Sequence, residues 1–288
     1  LALYISGNGP WYSMPGAVPP DQLPPGAIYN SNRYTLRALL QAAGCEVVDL
    51  GIVPDRLDAT RAALREAAQG NDLILTSGGV SVGEEDHIKP AVSAEGRLEL
   101  WQIAIKPGKP LAFGAVHRGS GDALFMGLPG NPVSSFVTFL LVVAPVLRVL
   151  QGLPAAMPRP IMLKAGFDWP RPDKRREFLR VRQSESGVLE LFPNQSSGVL
   201  TSAVWADGLV DNPANHAIAR GDEVAYLDLS DLRERDRSVS AEVAACILSF
   251  PTGCVSASSV VSHTDPHHTP WAPSAIAASG YRCSQRRL

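Results

Sequence analysis

Strand-like and helix-like segments alternate along the first half of this 288-residue chain, and this alternation constrains its fold more than any other feature. Residues 72–76 read DLILT, a nearly continuous apolar run typical of a strand buried on both faces of a parallel sheet. Between such runs, apolar residues recur at helical spacing, as at Leu36, Leu39 and Leu40. The alternation predicts an α/β sandwich that binds ligands at the carboxyl ends of its strands.

The boundaries of the predicted elements follow from apolar periodicity and from turn residues. The predicted strands are residues 1–6, 45–50, 72–76, 98–105, 111–116 and 123–128. One helix begins after Asn30 and Ser31 and ends at Gly44, and a long apolar helix runs from about Pro132 to Leu150. We therefore assign residues 1–153 to an α/β domain.

The rest of the chain has a different character. Short segments with partial period-two alternation, at residues 161–167, 177–183, 188–192 and 223–229, predict a small all-β, barrel-like domain over residues 158–232. Residues 233–288 are rich in Ser, Ala, His and Pro without sustained periodicity, which favours an irregular or disordered tail. A metal site built from the tail's cysteines and His263, His267 and His268 is the alternative, but their spacing matches no common zinc motif.

Composition excludes several classes of partner. With 26 basic and 28 acidic residues the net charge is −2, so no global field attracts nucleic acid or anionic lipid. The longest apolar stretch, residues 136–147, ends at Arg148 and is shorter than the roughly 20 residues of a membrane span. Of the four cysteines only Cys45 lies in the patterned region, which argues against a disulfide framework. We expect a cytoplasmic protein that binds neither nucleic acid nor membrane.

The first candidate ligand-binding loop, residues 77–86, follows the buried strand and reads SGGVSVGEED. Its glycines allow sharp turns that present backbone N–H groups to an oxyanion, and its serines add hydroxyl groups. The acids at its end would repel a bare phosphate unless a divalent cation lies between them, which makes Asp86 a candidate metal ligand. A surface turn leading into an acidic helix start is the alternative.

Two further loops follow predicted strands. Residues 106–110 read KPGKP, and their prolines hold Lys106 and Lys109 on a stiff turn that suits a polyanionic ligand. Residues 127–135 read GLPGNPVSS and lead into the long helix, whose first turn presents backbone donors. Each loop alone could be purely structural. Three at successive strand ends predict a shared anion-binding rim.

Four motifs occur in order, GAIYNSNR at residues 26–33 and then the three loops, and together they resemble the molybdopterin molybdenumtransferases of the MoeA and gephyrin E-domain family. The resemblance is close over residues 20–150 and looser up to about residue 229. It implies a three-layer, MogA-like molybdopterin-binding domain followed by a small β domain. It also implies that adenylylated molybdopterin and molybdate are converted to molybdenum cofactor and AMP, with Mg²⁺ as cation and a homodimer as the assembly.

The same resemblance implies roles for individual residues. Asp86, Lys106 and Lys109 would be catalytic, with Asp86 also the metal ligand. The residues expected to bind the pterin nucleotide and molybdate are Ser77, Gly78, Gly79, Ser81, Gly83, Pro129, Gly130, Asn131, Pro132, Ser134 and Ser202.

The chain also departs from the family pattern. The family's T-G-D-E-L motif has no counterpart, since residues 5–11 read ISGNGPW, and Gln102 stands where the family often has a base. One hypothesis is therefore an active molybdenum insertase, and a second is a module that binds pterin nucleotide without turnover. A related adenylyltransferase that makes the adenylylated pterin is a third, which the appended β domain disfavours.

Overall fold

The computed structural model of the chain describes residues 2–7, 11–12, 28–80, 87–154 and 159–233. Helices and strands alternate up to residue 150, as the sequence predicts. In chain order these elements are β1 (Ala2–Gly7), β2 (Trp11–Tyr12), β3 (Ile28–Tyr29), α1 (Ser31–Ala42), β4 (Val48–Pro54), α2 (Leu57–Ala68), β5 (Leu73–Ser77), α3 (Ile88–Glu95), β6 (Gly96–Gln102), β7 (Ile105–Lys106), β8 (Pro110–Arg118), β9 (Gly121–Leu128), α4 (Pro132–Thr138), a π-helical segment (Phe139–Val143) and α5 (Ala144–Leu150).

A six-stranded sheet in the order β4-β1-β5-β9-β8-β6 forms the middle layer of this first module. Strands β4, β1, β5 and β9 are parallel, and β8 runs antiparallel to them. The edge strand β6 pairs antiparallel with β8 and so runs in the same direction as the other four. Alternate residues of the buried strand β5 face opposite layers: Leu73 and Leu75 pack with α1, α4 and α5, and Ile74 packs with α2 and α3. The predicted three-layer α/β fold is confirmed.

The long apolar helix is interrupted by a π-helical segment between α4 and α5. Pro145 lies in the first turn of α5 and has no N–H, so it cannot donate the regular helical hydrogen bond to Leu141. A π-helical turn before such a residue allows the helix to continue. Residues 132–150 are long and apolar enough to span a membrane by length and composition, and 72% of the apolar stretch is buried inside the protein, against the sheet.

Two predicted strands have different limits in the structure. The strand predicted at residues 45–50 is β4, which begins at Val48 because its pairing with β1 runs from Val48 to Pro54. The strand predicted at residues 98–105 is two strands, because β6 ends at Gln102 and β7 leaves the first sheet. The extension of β4 places Asp55 at the same rim as the predicted ligand loops, and the separation of β7 places Lys106 in another sheet.

The second module is a curled antiparallel sheet. Its elements are β10 (Ile161–Lys164), β11 (Arg176–Gln183), β12 (Leu189–Leu191), α6 (Thr201–Trp205), β13 (Gly208–Asn212), β14 (Glu223–Asp228) and α7 (Leu229–Arg233). The strand order is β10-β14-β13-β11-β12, and a bridge between Ala165 and Leu189 joins the two edges around an apolar core. The small barrel-like module is confirmed; sequence analysis did not identify β13, α3 or α6.

The two modules share strands and core. Strand β7 pairs with β11 of the second module, in parallel, through Ile105 and Lys106. The core beneath α4 and α5 also contains Phe178, Leu209 and Leu227 of the second module. The predicted boundary near residues 153–158 lies between α5 and β10. The predicted tail and its cysteine and histidine residues lie outside the described residues.

Candidate functional site

The carboxyl ends of β5 and β9 bring two of the predicted ligand loops together. Ser77 of β5 is paired with Leu128 of β9, and the Gly78 N–H donates to the Leu128 carbonyl oxygen at 3.0 Å. A Cβ built on Gly130 would lie 3.7 Å from the Gly78 Cα, so the two loops touch at their glycines. We call this end of the sheet the rim.

The glycine loop begins with two consecutive residues in the left-handed region. Gly78 has φ +85° and Gly79 has φ +69°, a combination that L side chains rarely adopt, so the chain turns sharply as predicted. Ser77 itself is buried, and its hydroxyl is bonded within the protein. Ser81, Gly83 and Asp86 lie outside the described residues, and their predicted roles stay predictions.

Asn32, in the first turn of α1, connects the two loops. Its Nδ2 donates to Ser77 Oγ at 2.8 Å and to the Gly130 carbonyl oxygen at 2.7 Å, and it lies 3.4 Å from Ser135 Oγ. The Ser77 and Ser135 hydroxyls both donate to the Pro129 carbonyl oxygen. We call these five residues the Asn32 hub. Asn32 belongs to the GAIYNSNR motif but was not among the predicted site residues.

The helix that follows the Gly130 loop is fastened to the second module. The Asn131 Nδ2 donates to Ser197 Oγ at 3.0 Å, and the Val133 N–H donates to the Ser197 carbonyl oxygen at 3.0 Å. Pro132 occupies the first helical turn and Ser134 is buried. The Val133 amide is therefore engaged by the protein itself. Ser197, which sequence analysis missed, lies at the rim together with Asn131.

The lysine turn reaches the same rim, because β8 is antiparallel to β9. Ala112 is paired with Gly127, so the residues before β8 lie beside the end of β9. A Cβ on Gly108 would lie 2.6 Å from the Thr138 Oγ1 of α4, which shows how closely the turn rests on that helix. Lys109 is exposed, and its ammonium makes no ion pair with a described residue. Gly79, Lys109 and Asn131 thus belong to loops at one rim.

Lys106 points into a cluster of the second module that we call the Glu177 cluster. Its Nζ lies 3.1 Å from Glu177 Oε1 and 3.3 Å from Asp173 Oδ2. Glu177, whose side chain is 1% exposed, also accepts hydrogen bonds from Trp169 Nε1 at 2.8 Å and from the Asp173 N–H at 3.0 Å. Hydrogen bonds from Arg175 hold the pKa of Asp173 well below its usual range. The Lys106 charge is therefore largely neutralised.

Ser202 is fully buried behind the Ser197 loop. Its Oγ donates to the Val199 carbonyl oxygen at 2.7 Å and accepts from Arg180 Nε at 3.2 Å. Arg180 also donates to the carbonyl oxygens of Phe178 and Ser196, both at 3.3 Å, and burial lowers its pKa to about 10. The structure thus places Ser202 and Arg180 where they hold the loop that carries Ser197.

A carboxylate that sequence analysis missed lies at the end of β4. Asp55 Oδ1 is 3.9 Å from His87 Nε2, so His87, which precedes α3, lies beside the end of β4. The described residues contain no group of three or more His, Cys, Asp or Glu that could hold a metal. The predicted ligand Asp86 lies outside the described residues. Proteins typically hold Mg²⁺ through one or two carboxylates together with waters and substrate phosphates, so the Mg²⁺ site stays a prediction.

Orphaned polar atoms below the loops fit a site built for polar ligands. Asn30, the N-cap of α1, is 1% exposed; its Oδ1 accepts from the Arg33 N–H, and its Nδ2 has no partner among the described residues. The Oγ1 atoms of Thr76 and Thr138, and Arg118 Nε at the far end of β8, are also buried with no partner in the part of the chain that the structure describes. Such groups are rare in protein interiors and often mark the place of a water or a ligand. Three of these atoms lie on β5, on α4 and at the start of α1, the elements that carry the rim.

Comparison with known proteins assigns both modules. Residues 19–149 match the family described as "Probable molybdopterin binding domain", and residues 162–229 match "MoeA C-terminal region (domain IV)". The chain is 49% identical over 127 residues to molybdopterin molybdenumtransferase of Haemophilus influenzae, covering 44% of this chain and 30% of that protein. It is 36% identical over 215 residues to molybdopterin molybdenumtransferase of Nostoc, covering 72% of this chain and 49% of that protein.

A solved structure agrees with these matches. The crystal structure titled molybdopterin biosynthesis moea protein, from Pyrococcus horikosii, superposes with a TM-score of 0.63 at 28% identity. It covers 79% of this chain, and this chain covers 53% of it. The chain thus spans between about a third and a half of these relatives.

Proposed function

Because this chain belongs to the MoeA and gephyrin family of molybdopterin molybdenumtransferases, we propose that its rim binds adenylylated molybdopterin and molybdate for transfer of molybdenum to the pterin, with release of AMP. The observation that carries this proposal is the meeting of the Gly78, Gly130 and lysine loops at one end of the sheet. Both substrates are anionic, and an exposed lysine beside glycine-rich loops is the chemistry that binds them.

The residues of the rim have different roles in the proposed binding, and each role follows from the surroundings of the residue. Lys109 supplies an exposed positive charge, which attracts the phosphate groups of the nucleotide and the molybdate dianion. The backbone around Gly78, Gly79 and Gly130 allows the ligand to approach closely, because no Cβ covers it. The Ser77 hydroxyl, which donates to the Pro129 carbonyl oxygen, supports these loops, and Ser202 supports the loop that carries Ser197.

Binding without turnover is a second candidate function, and the setting of Lys106 favours it. A lysine that neutralises charge in a departing nucleotide must have its ammonium available, whereas Lys106 Nζ is held by Glu177 and Asp173. Gln102 offers no second cation on the neighbouring strand.

The transferase proposal in its full form also includes Mg²⁺, a homodimer and a cytoplasmic location, which the family resemblance implies.

One assay separates the two functions. The chain is incubated with adenylylated molybdopterin, molybdate and Mg²⁺, and both bound pterin and released AMP are measured. AMP release above the protein-free rate supports the transferase, and pterin binding without AMP supports the binding module. If neither binding nor AMP is observed, both are wrong.

A lysine variant tests whether the rim is the binding surface. Lys109→Ala should weaken binding of the pterin nucleotide by about tenfold, equivalent to about 1.4 kcal/mol, and the loss should shrink at high salt. Lys164→Ala is the matched control, because Lys164 is an exposed lysine on β10 of the second module. Equal affinities of the two variants would show that the lysine turn does not contact the ligand.

A further inference from the structure

The side-chain amide of Asn32 has an unusual position for a residue at the start of a helix. Asn32 is 4% exposed, and its Nδ2 reaches Ser77 and Gly130, which lie 45 and 98 residues away in sequence. It does not cap its own helix, because that role belongs to Asn30, which accepts from the Arg33 N–H. Its hydrogen bonds therefore act on the two loops of the rim and not on α1.

The hub holds two successive carbonyl groups of the Gly130 loop toward the interior. The Pro129 carbonyl oxygen accepts from the Ser77 and Ser135 hydroxyls, and the Gly130 carbonyl oxygen accepts from Asn32 Nδ2. Neither the Pro129–Gly130 nor the Gly130–Asn131 peptide bond is cis. In a trans peptide the C=O and N–H point in opposite directions.

The direction of the N–H groups follows from this geometry. Since both carbonyls point into the hub, the N–H groups of Gly130 and Asn131 point away from it, toward the rim. Neither of them donates a hydrogen bond to any described residue. Gly130 is half-buried and Asn131 is exposed, so an incoming ligand can reach both. Two successive N–H groups on one side of the backbone attract an anion.

We propose that Asn32 is a positioning residue: by holding the Gly130 carbonyl inward it turns the Asn131 N–H toward the anionic group of the bound ligand. This inference rests on the proposed function, because it takes the rim as the place where that ligand binds. Ser135 has the parallel effect on the Gly130 N–H through the Pro129 carbonyl. Without Asn32, the Gly130–Asn131 peptide can rotate and its N–H loses its fixed direction.

The test follows backbone amides directly, with inorganic pyrophosphate as the probe. In the ¹⁵N-labelled full chain, the amide signals of Gly130 and Asn131 should shift on titration. Asn32→Asp keeps the side-chain shape but removes the donor, so the Asn131 shift should be lost and affinity should fall at least tenfold. In Asn32→Ser the serine side chain is too short to reach Gly130, so this variant should also lose the Asn131 shift and bind more weakly. Ser135→Ala should diminish the Gly130 shift more than the Asn131 shift.

Asn71→Ala is the matched control. Asn71 is a buried asparagine whose Nδ2 also donates to a backbone carbonyl, that of Ala67 at 2.9 Å, but it precedes β5 at the opposite end of the sheet. This variant should bind pyrophosphate as the unchanged chain does. Equal losses in the Asn71 and Asn32 variants would show a general loss of structure and would overturn the inference.

Failure of the inference is distinguishable from failure of the proposed function. If the Asn32 variants bind pyrophosphate normally, or if the unchanged chain binds it without shifts at Gly130 and Asn131, Asn32 is not a positioning residue. AMP release by the unchanged chain would still support the transferase in either case. Shifts at these two amides without AMP release would support the inference and leave a binding module.

Discussion

Replacing Lys106 by methionine tests whether this lysine stabilises the fold through the Glu177 cluster. Methionine keeps an unbranched apolar side chain but removes the ammonium that lies 3.1 Å from Glu177 Oε1 and 3.3 Å from Asp173 Oδ2. Glu177 is 1% exposed, so water cannot replace the lost partner. Among the described residues, the buried carboxylate would then keep its hydrogen bonds from Trp169 Nε1 and the Asp173 N–H.

The expected loss of unfolding free energy in Lys106→Met lies between two limits. Breaking a fully buried ion pair costs about 3–5 kcal/mol, and losing one hydrogen bond to a charged group costs about 1.5–3 kcal/mol. The Lys106 side chain is 40% exposed, so solvent already screens part of the attraction. We therefore expect Lys106→Met to lower the free energy of unfolding by about 2 kcal/mol. The Arg56–Asp58 pair is mostly exposed, and Arg56→Met should cost less than about 1 kcal/mol.

Urea unfolding at pH 7, followed by tryptophan fluorescence, measures these differences, and Trp169 within the cluster reports on it directly. In the double variant with Glu177→Gln the buried charge is absent, so the two changes should cost less than the sum of the single ones by about 1 kcal/mol or more. If Lys106→Met is no more destabilising than Arg56→Met, or if the two changes are additive, the ion pair does not stabilise the fold.

Two further perturbations test other parts of the structure. Gly108→Ala should lower the free energy of unfolding by about 2–3 kcal/mol, because Gly108 has φ +123° and its new Cβ would lie 2.6 Å from Thr138 Oγ1. Gly119→Ala is the control and should be nearly neutral, since a Cβ on Gly119 would have nothing within 4 Å. Equal urea midpoints of the two variants would refute this prediction. Asp173 has a lowered pKa in the folded state, so its stabilisation is present above about pH 4 and is lost as the pH falls through the folded value. The difference in free energy of unfolding between the unchanged chain and Asp173→Asn should accordingly become smaller in acid. A difference that stays constant from pH 7 to pH 3 would contradict the lowered pKa of Asp173.

The fold and the loops of the rim could be predicted because their signals are local. Apolar runs identified β5 and β9, and glycines and prolines marked the turns that follow them. The predicted limits of β4 and of the single strand at residues 98–105 were wrong because strand ends depend on pairing partners elsewhere in the chain. Periodicity does not identify such partners.

The partners of the site residues could not be predicted for the same reason. Lys106 and Glu177 are 71 residues apart, and Asn131 and Ser197 are 66 residues apart. The Lys106 charge looked available in the sequence because its carboxylates lie on another module. The predicted ligand residue Ser202 is buried against Arg180, whereas Ser197, five positions earlier, lies at the rim beside Asn131.

Strand β7 belongs by sequence to the first module and by hydrogen bonding to the second. The turn that carries Lys109 is consequently anchored at one end by β11 and at the other by β8, so a rotation of the second module would pull on it at once. If the rim binds an anion as proposed, a change in the angle between the two modules would move Lys109 relative to that anion.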